Sequence, residues 1–105
     1  MGNSNQMKKL ILLHVLDNVL IVRKSIEAGE QVVINGNLLL FKKGIEVGHK
    51  VAARDIQQGE QIIKYGISIG SATENISVGT HIHLHNMKSD YLPTYTLEKE
   101  FGNDK

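Results

Sequence analysis

The residues of this chain best suited to chemistry are its histidines. Three of them stand at alternate positions in the run His81-Ile82-His83-Leu84-His85-Asn86. Successive side chains of a strand leave opposite faces, so this spacing predicts three imidazoles on one face, with Ile82 and Leu84 on the other. Imidazoles at alternate strand positions can converge on one metal ion. Beside a polar ligand, neutral rings can also donate hydrogen bonds or act as general acid for a leaving hydroxyl. The competing reading is a polar, solvated strand face.

Other short stretches carry charge or titratable groups. Gly48-His49-Lys50 sets a ring and a cation after a glycine, and Lys50 would attract a carboxylate. The alternative is a solvated turn lysine. In Lys64-Tyr65-Gly66, Lys64 can hold an anion and Gly66 lets backbone come close. Asp17 and Asn18 beside His14 can hold a polar ligand, or they form a turn that satisfies itself. There is no cysteine and no serine in a nucleophile elbow. No glycine-rich phosphate loop is found either. A complete active site is therefore not expected in this chain alone.

The elements that must position these residues share a repeated phrase. Ile26-Glu27-Ala28-Gly29-Glu30-Gln31-Val32-Val33 is matched by Ile56-Gln57-Gln58-Gly59-Glu60-Gln61-Ile62-Ile63. Looser copies run from Ile45 through Gly48 to Ala52 and from Ile76 through Gly79 to His83. Each predicts a tight turn feeding a strand, with the isoleucine anchored in the core and the glycine at positive φ. Asn35-Gly36-Asn37 predicts a hairpin joining Val32–Ile34 to Leu38–Phe41. Lys9 to His14 reads as a first strand, Val19 to Arg23 as a second, and Ile67-Ser68-Ile69 as a very short one between Gly66 and Gly70. At most one helical turn is expected, near Val51–Ala53. The fold class expected is all-β, built of many short strands with glycine turns.

The chain has 105 residues, which fits one domain. With two Phe, three Tyr and no Trp, its core must be aliphatic. A formal charge of +1 without like-charge runs argues against a nucleic-acid partner. The absence of cysteine fits a cytoplasmic protein. Lys8-Lys9 and the apolar run after them resemble a signal peptide, but His14, Asp17 and Asn18 interrupt it and no cleavage site follows. The run is also too short and polar to span a membrane, and Gln6 breaks the myristoylation pattern at Gly2. Residues 1–9 are expected to be disordered, 10–88 to form the domain, and 89–105 to form an arm. Tyr91, Leu92, Tyr95, Leu97 and Phe101 make that arm apolar enough to dock on a partner or on its own domain.

The phrases GHKVAARDIQQGEQIIKYGISIG and IHLHN resemble the SAF domain of the altronate/galactarate dehydratase (UxaA-type) hydro-lyases, including the small subunits of two-subunit members such as sulfolactate sulfo-lyase. HVLDNV, at His14–Val19, is similar to the family's His-Pro-x-Asp-Asn-Val, with Val15 in place of the proline. The resemblance implies a β-clip fold and a separate large catalytic subunit whose active site this chain caps. It implies a small sugar-acid substrate and a divalent metal, Fe2+ or Mn2+, held mainly by the large subunit. The large subunit would abstract a proton α to the carboxylate and expel a β-substituent. The motif covers His83, His85 and Asn86 but not His81. It thus points to His83 and His85 as catalytic residues or metal ligands, and leaves His81 as an exposed extra. His14, Asp17, Asn18, His49, Lys50, Lys64 and Asn86 are the substrate-binding candidates. The chain would be inactive alone, and a homo-oligomer is compatible with the pattern. The other readings left open are a non-catalytic module that binds an anionic sugar acid, and a sulfolactate sulfo-lyase alpha subunit.

Overall fold

The structure, a computed structural model, describes residues 8–90. Residues 1–7 of the N-terminal stretch expected to be disordered, and the apolar arm from Tyr91 onward, lie outside the described residues. Within them the fold is all-β, with nine short strands and no helix. The strands are β1 (Leu10–Ile11), β2 (Val19–Val22), β3 (Glu30–Ile34), β4 (Asn37–Phe41), β5 (Lys50–Ala52), β6 (Gln61–Lys64), β7 (Ile67–Ala72), β8 (His81–Ile82) and β9 (Met87–Lys88). Among the described residues no helix is long and apolar enough to cross a membrane.

A central antiparallel sheet, in the order β1-β2-β5-β8, is covered on both faces. On one side Val22 and Val51 pack with Ile26, Ile34, Phe41 and Ile45, which brings in the β3–β4 hairpin. On the other, Val19, Ala52 and Ile82 pack with Ile56, Ile62, Ala72 and Ile76, which brings in β6 and β7. Burial on both faces is why Val19-Leu20-Ile21-Val22 reads as a continuous apolar run rather than an alternating one.

The repeated phrase is an internal duplication. Its four isoleucines are buried and pair two by two, Ile26 with Ile45 and Ile56 with Ile76. Each pair exchanges both backbone hydrogen bonds, at 2.9 Å in the first and 2.7 Å in the second. Gly29, Gly48, Gly59 and Gly79 all have positive φ, between 84° and 94°. The glutamate after the glycine closes the turn: in both halves its carboxylate accepts the N–H three residues back, Glu30 from Glu27 and Glu60 from Gln57, at 2.9 Å. Both carboxyl pKa values lie below the usual range, held there first by Lys9 at Glu30 and by Arg54 at Glu60.

Both hairpins turn on two residues at positive φ, Asn35-Gly36 and Tyr65-Gly66. The offset between the copies is 30 residues from Ile26 to Ile56 but 31 from Ile45 to Ile76. The extra residue is Ile69, in a bulge where pairing shifts from Ile62↔Gly70 to Ile63↔Ser68.

Several expectations are corrected in detail. The first strand stops at Ile11, because Leu12 and Leu13 face solvent and leave the sheet. Val51–Ala53 makes no helical turn, since Lys50–Ala52 bonds to β2 and β8 at the centre of the sheet. The short strand at Ile67 runs on through Gly70 to Ala72, because Gly70 lets β9 lie against it: a Cβ there would sit 2.2 Å from the Lys88 carbonyl oxygen.

Candidate functional site: a histidine cluster at the sheet edge

β5 and β8 each follow a glycine turn, and their antiparallel pairing sets Val51 opposite His81 and Lys50 opposite Ile82. Continued by one residue, that register brings His49 beside His83. The result is a cluster of four imidazoles. His49 Nδ1 and His81 Nε2 are 2.9 Å apart, a hydrogen bond whose direction depends on the tautomers. Ring centroids lie 4.9 Å apart for His49–His81, 5.7 Å for His81–His83, 6.2 Å for His81–His85 and 6.2 Å for His49–His83.

The geometry differs from a row on one strand. β8 ends at Ile82, and residues 83–86 form a turn closed by the Asn86 N–H to the His83 carbonyl at 3.1 Å. Asn86, fully buried, ties this turn together with its side chain. Its Oδ1 accepts from the His83 N–H and its Nδ2 donates to the His81 carbonyl, both at 2.9 Å. Asn86 therefore spends its amide on the backbone that presents the histidines.

His81 is not an exposed extra but the hub of the cluster, half-buried where the other three rings are exposed. Its pKa lies below the ordinary imidazole value. Partial burial is the first cause, followed by repulsion from His49, His83, His85 and Lys50. No carboxylate is among these neighbours. A cleft of about 370 Å³ opens beside the cluster, lined by Val47, Gly48, His49, Lys50, Ile82 and His83. A second, of about 360 Å³, runs from His81 and His85 to Leu40 and Lys43.

Lys50 shares a face with Ile82 and Ile21, on the β6–β7 side of the sheet. Its pKa is lowered by burial first and by the positive charge of Lys64 second. Neither makes an ion pair with a described residue. They form a second cationic spot around the edge from the imidazoles.

The remaining candidates lie elsewhere. Asp17 accepts the Tyr65 N–H at 2.8 Å and the Gly66 N–H at 2.7 Å, capping the tip of the second hairpin. Asn18 acts as a strand for β6: its Oδ1 accepts from Ile63 N and its Nδ2 donates to the Gln61 carbonyl, both at 2.8 Å. His14 takes the Leu16 N–H on Nδ1 at 3.1 Å, which leaves the proton on Nε2. Its ring packs on Gly66, where an added Cβ would lie 3.1 Å from it. No ring contact joins His14 to the other four histidines among the described residues. A groove of about 570 Å³ between β1 and the β3–β4 hairpin is lined by no histidine.

Two nitrogens at 2.9 Å do not make a metal centre. Among the described residues no group of three or more His, Cys, Asp or Glu is arranged to hold an ion. The described residues thus do not fit the divalent metal as a complete ligand set.

The comparisons agree with this architecture. A model of the altronate/galactarate dehydratase SAF domain matches residues 8–90. Altronate dehydratase of Bacillus subtilis (strain 168) is 42% identical over 84 residues, which is 80% of this chain and 17% of that protein. Altronate dehydratase of Escherichia coli (strain K12) is 33% identical over 93 residues, 87% of this chain and 19% of that protein. (2R)-sulfolactate sulfo-lyase subunit alpha of Chromohalobacter salexigens is 37% identical over 75 residues, 66% of this chain and 80% of that protein. The chain thus spans under a fifth of the two dehydratases and most of the sulfo-lyase subunit.

Proposed function

The chain belongs to the altronate/galactarate dehydratase SAF-domain family, and from that premise we propose that it serves a lyase acting on a small hydroxy acid. In this reading it is a small subunit that caps the active site of a large catalytic subunit in the cytoplasm. The observation that carries the proposal is the four-histidine cluster at a sheet edge, three of its rings exposed and no carboxylate among the groups that perturb the fourth, His81. An acidic substrate is not repelled there, and imidazoles titrate in the range where general acids work. His83 and His85, exposed on the turn, are the rings that can reach a substrate held by the partner; they would protonate a leaving hydroxyl. His81 and His49 sit behind them as a hydrogen-bonded support. Lys50 and Lys64 supply the positive potential for the substrate carboxylate.

The divalent metal, iron or manganese, would be held mainly by the large subunit, since the described residues offer no complete ligand set. A second reading is the alpha subunit of a sulfolactate sulfo-lyase, favoured by the share of that relative which the chain spans. A sulfonate-bearing acid suits the same histidine edge.

The test is reconstitution. The purified chain is combined with the large subunit encoded in the same genome, and release of water from altronate or sulfite from sulfolactate is followed. Activity should need both proteins. His83→Ala and His85→Ala should each lower it by roughly 100-fold or more if the ring is a general acid, with little change in thermal midpoint. Tight binding of a sugar acid by the lone chain, with no partner and no turnover, would replace the lyase reading with that of a binding module.

A further inference from the structure

The two halves of the duplication treat their hairpins differently. In the second half both edges are filled by the chain itself. Asn18 bonds the β6 edge at Gln61 and Ile63. β9 pairs with β7 at Ser71 and Ala72. In the first half the β3–β4 hairpin is a two-stranded sheet with no third strand among the described residues. By the alternation of an antiparallel ladder, Gln31 and Val33 on β3 and Leu38 and Leu40 on β4 direct their N–H and C=O groups away from the hairpin. No turn or loop bond reaches them among the described residues.

The outward face of this hairpin is apolar as well. Val33, Leu38 and Leu40 are 60%, 58% and 55% exposed. Their counterparts in the second hairpin, Ile63, Ser68 and Ser71, are half-buried or buried. Exposed strand edges are ordinarily blunted by lysine, proline or a bulge. β4 has none of these; it reads Asn37-Leu38-Leu39-Leu40-Phe41. Lys42 and Lys43 follow it directly and make no ion pair with a described residue. The same stretch, Leu40 to Gly44, forms one wall of the cleft whose other wall holds His81 and His85.

The geometry points to the free edge of β4 as the docking surface for the catalytic partner subunit, which would add an extended apolar strand beside Leu38 and Leu40 with an acidic residue against Lys42 or Lys43. This inference rests on the reading of the chain as a capping subunit. Continuity with the histidine cleft selects that occupant over a second copy: a strand laid along β4 ends at His81 and His85, where the partner must bring substrate. Strand addition draws affinity from main-chain bonds and specificity from alternate side chains, and the edge offers both.

The experiment uses the full chain and the large subunit from the same genome, with affinity measured by titration calorimetry. The double variant Leu38→Lys/Leu40→Lys should weaken the complex at least 10-fold. Ile67→Lys, equally exposed on the other hairpin at 59%, should leave it unchanged. Hydrogen exchange on the unmodified chain gives a second measure that no folding defect can confuse. The Leu38 and Leu40 amides should exchange fast alone and slowly in the complex. If the unmodified complex forms while the double variant binds as well and those amides stay unprotected, the surface is wrong and the capping role stands. If no complex forms, both fall. If light scattering shows a dimer of the lone chain that the double variant dissolves, the edge belongs to a second copy and the inference is overturned.

Discussion

Asn86→Ala separates the scaffold of the site from its chemistry. The Asn86 side chain is 1% exposed and makes two bonds, both to the backbone that carries the histidines. Removing it strands the His83 N–H and the His81 carbonyl. Each bond contributes about 1 to 1.5 kcal/mol, so the cost is roughly 2 to 3 kcal/mol. For a domain of this size each kcal/mol lowers the midpoint by about 4 to 8 °C, so the thermal transition should fall by roughly 10 to 20 °C. Asn86→Asp keeps the shape and the acceptor but sets a carboxylate oxygen against the His81 carbonyl, so it should be destabilising too. The assay is a pair of melts followed by circular dichroism, with urea titrations to give the free energies. Proton NMR of the imidazole C–H signals adds the local readout. In a variant kept folded by low temperature, His81 should titrate nearer to a free histidine once its turn is released. A loss below about 0.5 kcal/mol, the range of a neutral surface change, would refute the argument. So would unchanged histidine titrations in a destabilised chain, since the turn would then not depend on Asn86.

The other outcomes follow from single contacts. Gly70→Ala should cost more than about 3 kcal/mol and release β9, because its Cβ would lie 2.2 Å from a backbone oxygen that cannot move aside; loss of protection at the Thr73 amide, which donates to the Asn86 carbonyl beside β9, would report it. Gly59→Val meets open space but sits at φ +87°, so its cost should be strain alone, about 1 to 3 kcal/mol in a urea titration. Because the His81 pKa is lower folded than unfolded, the unfolded chain binds more protons between the two values. Stability should therefore fall as pH drops below about 6.5, the unfolded value, and His81→Gln should flatten that part of the profile in urea titrations taken across pH.

The fold was legible where one residue type has one conformational reason. Glycine at the end of each Ile-x-x-Gly phrase signals positive φ, and Asn35-Gly36 signals a two-residue hairpin turn. What stayed hidden was pairing at a distance. Nothing local says that Ile26 bonds Ile45 rather than Ile56. Nor does Asn18 announce that it will stand in for a strand beside residues 43 and 45 positions away. Asp17 and Asn18 read equally well as a self-satisfied turn or a ligand pocket, and their true partners, the β6 backbone and the tip amides, carry no side-chain signature. The helical turn drawn at Val51–Ala53 failed for the same reason: Ala52-Ala53 has helical propensity, but two flanking strands impose extended backbone.

The site was legible by composition and not by geometry. Alternation from His81 to His85 suggested one strand face, yet the strand stops after two residues because Asn86 offers the backbone a better set of bonds than another strand would. The ring that the sequence motif leaves out, His81, then becomes the one the others gather round. Its hydrogen bond to His49 exists only because two glycine turns feed antiparallel strands into the same edge. The duplication is what makes this possible. Each copy ends in an Ile-x-x-Gly turn, so the residues after Gly48 and after Gly79 meet as neighbours, and histidines placed there must cluster. One half of the duplication closes on itself through Asn18 and β9. The other leaves the β3–β4 hairpin without a third strand among the described residues, and its β4 edge, which leads to the histidines, is where the proposed partner's backbone would lie.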